Sequence, residues 1–116
     1  MKARPCKLVS KTGYVSCPVE EATHVTLRFP CPAGILTLPI ILKGKREGSF
    51  CWTWNGCVDR PTLKPSILTR GTDSNGKDYI SHSWVNDGEV SYLSDSTGDY
   101  TNKKLNLLEL DFEEMG

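Results

Sequence analysis

The stretch "YISHSWVNDGEVSYLSD", residues 79–95, decides the fold class. Two runs alternate between larger apolar and small polar residues, and "NDGE" separates them. Asp-Gly tolerates the positive φ that a two-residue hairpin turn requires. Residues 80 to 85 should therefore return against roughly 90 to 95 as an antiparallel pair. Side chains alternate across a strand. That parity sets Ile80, His82 and Trp84 on one side, and Tyr79, Ser81, Ser83 and Val85 on the other. The return strand presents Val90 and Tyr92 together.

Working outward, the same period of two recurs. "HVTLRF" at 24–29 aligns Val25, Leu27 and Phe29, and "SFCWTW" at 49–54 aligns Phe50, Trp52 and Trp54. "KLNLLEL" at 104–110 reads as a terminal strand through Leu105 and Leu107, with Leu108, Leu110 and Phe112 as an extension. "VEEATH" at 19–24 offers one short helical turn, and "GTDSNGKD" at 71–78 reads as an exposed loop. "RPTLKPS" at 60–66 carries prolines four apart, which excludes a helix interior and a central strand. It is expected as an extended segment along a sheet edge. The expectation is a single domain, 1–116. It is mostly β, a small antiparallel sandwich or rolled sheet with long loops and little helix.

Fourteen basic and 14 acidic residues cancel. That balance argues against duplex nucleic acid, whose binders carry a basic excess. The longest apolar run, "GILTLPIIL" at 34–42, is broken by Pro39 and falls far short of the roughly 20 residues that span a bilayer. "MKARPCKLVSKTGY" lacks the apolar stretch of a secretory signal. A cytoplasmic location is expected, with no membrane partner. The five cysteines, Cys6, Cys17, Cys31, Cys51 and Cys57, include no pair spaced as a zinc knuckle. They are expected as reduced thiols, with no metal and no cofactor.

His82 reads either as a core residue or as a ligand contact or general base. Asp87 falls at the turn tip. Asp95 falls near the start of the His82 strand, within reach of it. Ser81, Ser83, Ser94 and Ser96 flank the hairpin and read as solvated hydroxyls. No G-x-S-x-G elbow and no P-loop occurs, so a catalytic triad is not expected. Trp52 is assigned to the core and Trp54, beside the Asn55-Gly56 turn, to a stacking platform. Asn55 serves that turn's positive φ. Lys43, Lys45 and Arg46, with Arg60, Lys64 and Arg70, could hold an anion.

The ordered set Trp54-Asn55-Gly56, Pro61-Thr62, Pro65-Ser66, His82-Ser83-Trp84-Val85, Gly88 and Leu93-Ser94-Asp95-Ser96 resembles a family of small phage and prophage proteins. That family is often labelled "ammonia monooxygenase", and the likeness runs from about residue 20 to about 110. Many relatives carry a Cys-Pro-x-Cys segment and a Cys-His pair, and often a His after the Ser-Thr that matches Ser96-Thr97. This chain has Gly34, Ser81 and Gly98 at the corresponding points. Cys31 and His82 alone are too few for four-coordinate zinc. The resemblance implies a phage accessory protein acting in the bacterial host's cytoplasm against host defence.

Together these readings give a non-enzymatic, homo-oligomeric module that binds an anionic small molecule, such as a nucleotide-type defence signal. Trp54 and Trp84 would stack. Arg60, Lys64, Arg70 and His82 would face phosphates, and Ser94 or Asp95 would bond ring or ribose. Asn55 and Ser66 complete the ligand-binding set. One alternative is a metal-independent phosphodiesterase using His82 and Asp95. Another is an inhibitor that docks on a host enzyme through a strand edge.

Overall fold

A computed structural model describes residues 1–11, 13–30, 34–42, 51–97 and 101–110. Among the described residues nine strands follow in chain order: β1 Ala3–Ser10, β2 Gly13–Ser16, β3 His24–Arg28, β4 Ile35–Ile41, β5 Trp52–Trp54, β6 Leu63–Thr72, β7 Asp78–Asn86, β8 Glu89–Tyr92 and β9 Lys104–Asn106. The only helical element among the described residues is a 3-10 turn, Val19–Glu21, inside "VEEATH". No helix among them is long and apolar enough to cross a membrane.

The strands form one sheet in the order β2-β1-β3-β4-β5-β6-β7-β8-β9. Neighbours pair antiparallel except β4 and β5, which run parallel. The sheet rolls without closing. Past β9, the Leu108 N–H bonds the Arg28 carbonyl at 2.9 Å, forming an isolated bridge to the end of β3. The fold is thus mostly β with little helix, as the alternation implies.

The interior of the roll holds Val25, Leu27 and Phe29 from the β3 region, Ile40 from β4, Trp54 from β5, Leu63 from β6, Val85 from β7 and Val90 and Tyr92 from β8. Burial of these side chains is the main stabilising term; each contributes roughly 1.5–3 kcal/mol. At the β7–β8 turn, Asp87 and Gly88 have φ of 53° and 80°. Both values are positive, as a type I′ turn demands.

Three expectations are corrected, and the open choice of the buried face on β7 is decided. Trp54 is 1% exposed and belongs to the core, whereas Trp52 is only half-buried. On β7 the buried side carries Ser81, Ser83 and Val85, so His82 and Trp84 lie on the outer face. Ser81, Ser83 and Ser96 are therefore not solvated hydroxyls. "RPTLKPS" is not an edge: Leu63 to Ser66 begin β6, which lies between β5 and β7. The N-terminal segment, unassigned from alternation, forms the β1–β2 hairpin. Phe50, Phe112, Cys31, Gly98 and the Lys43, Lys45 and Arg46 cluster lie outside the described residues.

Candidate active site

The site grows from an irregularity in β6. Leu63 pairs with Val85 and Ile67 with Ser83, so Lys64, Pro65 and Ser66 stand opposite the single residue Trp84. Extra residues on one strand make a bulge, which re-aims side chains. Pro65 donates no backbone hydrogen bond, and a bulge is where an inner strand accepts a proline. The Lys64–Pro65 peptide is cis. The Trp52 indole N–H donates to the Ser66 carbonyl at 3.3 Å, tying the bulge to β5.

On β7, His82 stands opposite Leu68 of β6. Its backbone is held from the other side by the turn after β8. The His82 N–H donates to Ser96 Oγ at 3.0 Å. Ser96 Oγ donates in turn to the His82 carbonyl at 2.8 Å, and the Leu93 N–H reaches the same carbonyl at 2.8 Å. Thr97 treats Ile80 similarly: its Oγ1 accepts the Ile80 N–H at 2.7 Å, and its N–H donates to the Ile80 carbonyl at 2.8 Å. The Ser96 N–H closes the turn onto the Leu93 carbonyl at 3.0 Å. Two hydroxyls thus continue the ladder where β8 ends, and Asp95 at the turn projects onto the His82 ring.

The side chains meet in one line. Ser66 Oγ lies 3.0 Å from His82 Nε2. His82 Nδ1 lies 2.8 and 3.0 Å from the two Asp95 carboxylate oxygens. An ionised carboxylate only accepts hydrogen bonds. Nδ1 therefore carries the ring proton in this network, leaving the Nε2 lone pair to accept the Ser66 hydroxyl proton. The site is open: the His82 and Asp95 side chains are 24% and 58% exposed.

Other expected site residues have other positions. Ser94 is exposed beside Asp95. Lys64 and Trp84 line a cavity of about 380 Å³ on the Ser66 and His82 strands. Arg70 is exposed on β6, opposite Ile80. Asn55 is a latch: its Oδ1 accepts the Cys57 and Thr62 N–H groups, and its Nδ2 donates to the Arg60 carbonyl, each at 3.1 Å. Arg60 lies 3.8 Å from the Asp87 carboxylate, in a different, polar cavity with Lys2 and Glu89. Buried Trp54 offers no stacking face. The anion pocket combining Trp54, Arg60 and Trp84 is therefore not assembled. Among the described residues no group of three His, Cys, Asp or Glu side chains could hold a metal.

A hydroxyl on Nε2 of an imidazole and a carboxylate on its Nδ1 make the acyl-transfer triad. These geometric roles define the class: a site of the serine-hydrolase kind, in chain order Ser66, His82, Asp95. Residues 2–93 match the family model described as "Bacterial ubiquitination-like system serine protease (BubE)", and the chain belongs to that family. Ser66 and His82 lie within the matched span, and Asp95 lies two residues past it. No curated protein and no solved structure matches the chain.

The family match overturns the expectation of a non-enzymatic anti-defence module that sequesters a nucleotide. A serine protease family is an enzyme family of another chemistry, and the phosphodiesterase and docking-inhibitor alternatives fall with that expectation. The expectation missed the pairing of Ser66 with His82. The available signal was Pro65 inside an otherwise strand-like run, which forces a break in register just before a serine.

Proposed function

We propose that the chain is a serine peptidase acting on a protein of a ubiquitination-like system. The observation that carries the reading is the continuous Ser66–His82–Asp95 hydrogen-bond line, with heavy-atom distances of 3.0 and 2.8 Å. Ser66 Oγ attacks the carbonyl carbon of the scissile amide while its proton passes to His82 Nε2. The C–N bond breaks, and the leaving amine takes that proton. Water then gives a proton to Nε2 and attacks the Ser66 ester; the ester C–O bond breaks, Ser66 Oγ takes that proton back from Nε2, and the acid product leaves as its carboxylate. Asp95 holds the imidazole in its tautomer and stabilises the imidazolium formed in each half. Lying on the outer sheet face, the triad suits an extended chain segment better than a small enclosed molecule.

The bacterial cytoplasm remains the proposed location. In support, Cys6, Cys17, Cys51 and Cys57 are free thiols rather than disulfides, which suits a reducing compartment. A homo-oligomer is also proposed, because the β1–β2 hairpin exposes Leu8, Val9, Tyr14 and Val15.

The direct test is labelling by a fluorophosphonate, followed by intact mass and peptide mapping. One adduct at Ser66 is expected, absent from Ser66→Ala and strongly reduced in His82→Ala. No adduct, or an adduct that survives Ser66→Ala, refutes the reading.

A further inference from the structure

We infer that the cavity between Lys64 and Trp84 is a substrate subsite selecting a carboxylate near the scissile bond; this rests on the peptidase reading above. Both residues are tied to the triad by the chain. Lys64 precedes Ser66 by two residues in the bulge, and Trp84 follows His82 by two on the same outer face. One same-face step on a strand is about 6.5–7 Å. An extended peptide laid along β7 repeats that spacing. The side chain it places in the cavity therefore belongs to a residue about two positions from the bond being cut.

The lining sets the chemistry. Trp84 is 44% exposed, an unusual state for so large an apolar ring, and it forms a flat wall. Thr62 and Asn86, hydrogen-bonded to each other at 3.3 Å, form the polar side. Lys64 is exposed and has no ion-pair partner among the described residues. Asp95 is committed to His82, and Asp87 lies toward Arg60. An aromatic wall with an unpaired ammonium at its mouth fits an aliphatic stem ending in a carboxylate. The stem packs on the indole and the charge meets Lys64. A glutamate side chain supplies this group, and so does a free chain terminus.

The test is digestion of a mixed synthetic peptide library, made in free-acid and C-terminally amidated forms, by wild type, Lys64→Glu, Trp84→Ala and Ser66→Ala. Cleavage sites are read by mass spectrometry. Wild type should prefer Glu over Gln about two- to fivefold at one position one to three residues from the bond, the range of an exposed charge pair. Lys64→Glu should invert that preference toward Lys. Trp84→Ala should raise KM with little change in kcat. Equal cleavage of the free-acid and amidated forms assigns the carboxylate to a side chain; loss on amidation assigns it to the chain terminus. Ser66-dependent cleavage with neither a Glu preference nor a loss on amidation, or with a preference that Lys64→Glu leaves unchanged, overturns the subsite while sparing the peptidase reading. Fluorophosphonate labelling of Ser66 without peptide cleavage also overturns it. Absence of both cleavage and labelling overturns the peptidase reading, and the subsite with it.

Discussion

Ser96 tests whether the turn after β8 builds the triad or merely borders it. Its hydroxyl accepts the His82 N–H and donates to the His82 carbonyl, and the residue is 7% exposed. In Ser96→Ala the carbonyl keeps the Leu93 N–H, but the His82 N–H loses its Ser96 partner. A buried donor left unsatisfied costs about 1–3 kcal/mol. The second consequence is geometric, because Asp95 is the next residue back and its carboxylate follows the turn. A misplacement of about 1 Å at a catalytic group costs up to about 100-fold in rate. Loss of the aspartate's role altogether sets the outer limit, about 10⁴.

The expected result is a stability loss of about 1–3 kcal/mol in urea and a fluorophosphonate labelling rate down about 10- to 100-fold. Ser96→Thr, which restores a hydroxyl, should recover much of the rate. A purely structural serine would lower stability and leave the rate per folded molecule unchanged. That outcome, or a Thr variant no faster than the Ala variant, refutes the positioning argument.

Four further outcomes are expected. Asp95→Asn should keep the fold, since the side chain is largely exposed, and should lower the rate by as much as about 10⁴, because an amide no longer selects the Nδ1–H tautomer; steady-state kinetics checks it. Trp54→Ala should cost about 3–5 kcal/mol in chemical denaturation, as for an aromatic removed from a core, while Trp84→Ala should stay within about 0.5 kcal/mol. Asn55→Ala, which removes three backbone hydrogen bonds from the 55–62 loop, should destabilise by about 1–3 kcal/mol. The Met1 ammonium, 2.7 Å from Glu109, holds that carboxyl below its usual range. Its small contribution is present above the ordinary carboxylate range and fades as pH falls through the lowered folded value; Tm against pH in Glu109→Gln should show a correspondingly shallower acid limb.

Alternation by itself determined the β class, the shared face of Val25, Leu27 and Phe29, and the Asp87-Gly88 hairpin with its register. Those are local properties: a period of two and a turn residue that accepts positive φ act over a few neighbours. His82 and Asp95 are legible as neighbours for the same reason, since one hairpin joins them. Which face of β7 is buried was not legible. Ser81 and Ser83 are small and polar, and only the packing of the rolled sheet turns them inward and leaves Trp84 in solvent. Trp54 and Trp52 share the inner face of β5, and only the position along that strand sets Trp54 deep in the core and leaves Trp52 half-buried against it. Ser66 is the sharpest case. Its partner lies 16 residues away on another strand, and its aim depends on a bulge whose register only the pairing of β6 with β7 defines. A proline in sequence announces that a strand is irregular; only tertiary pairing decides that the irregularity delivers a hydroxyl to an imidazole.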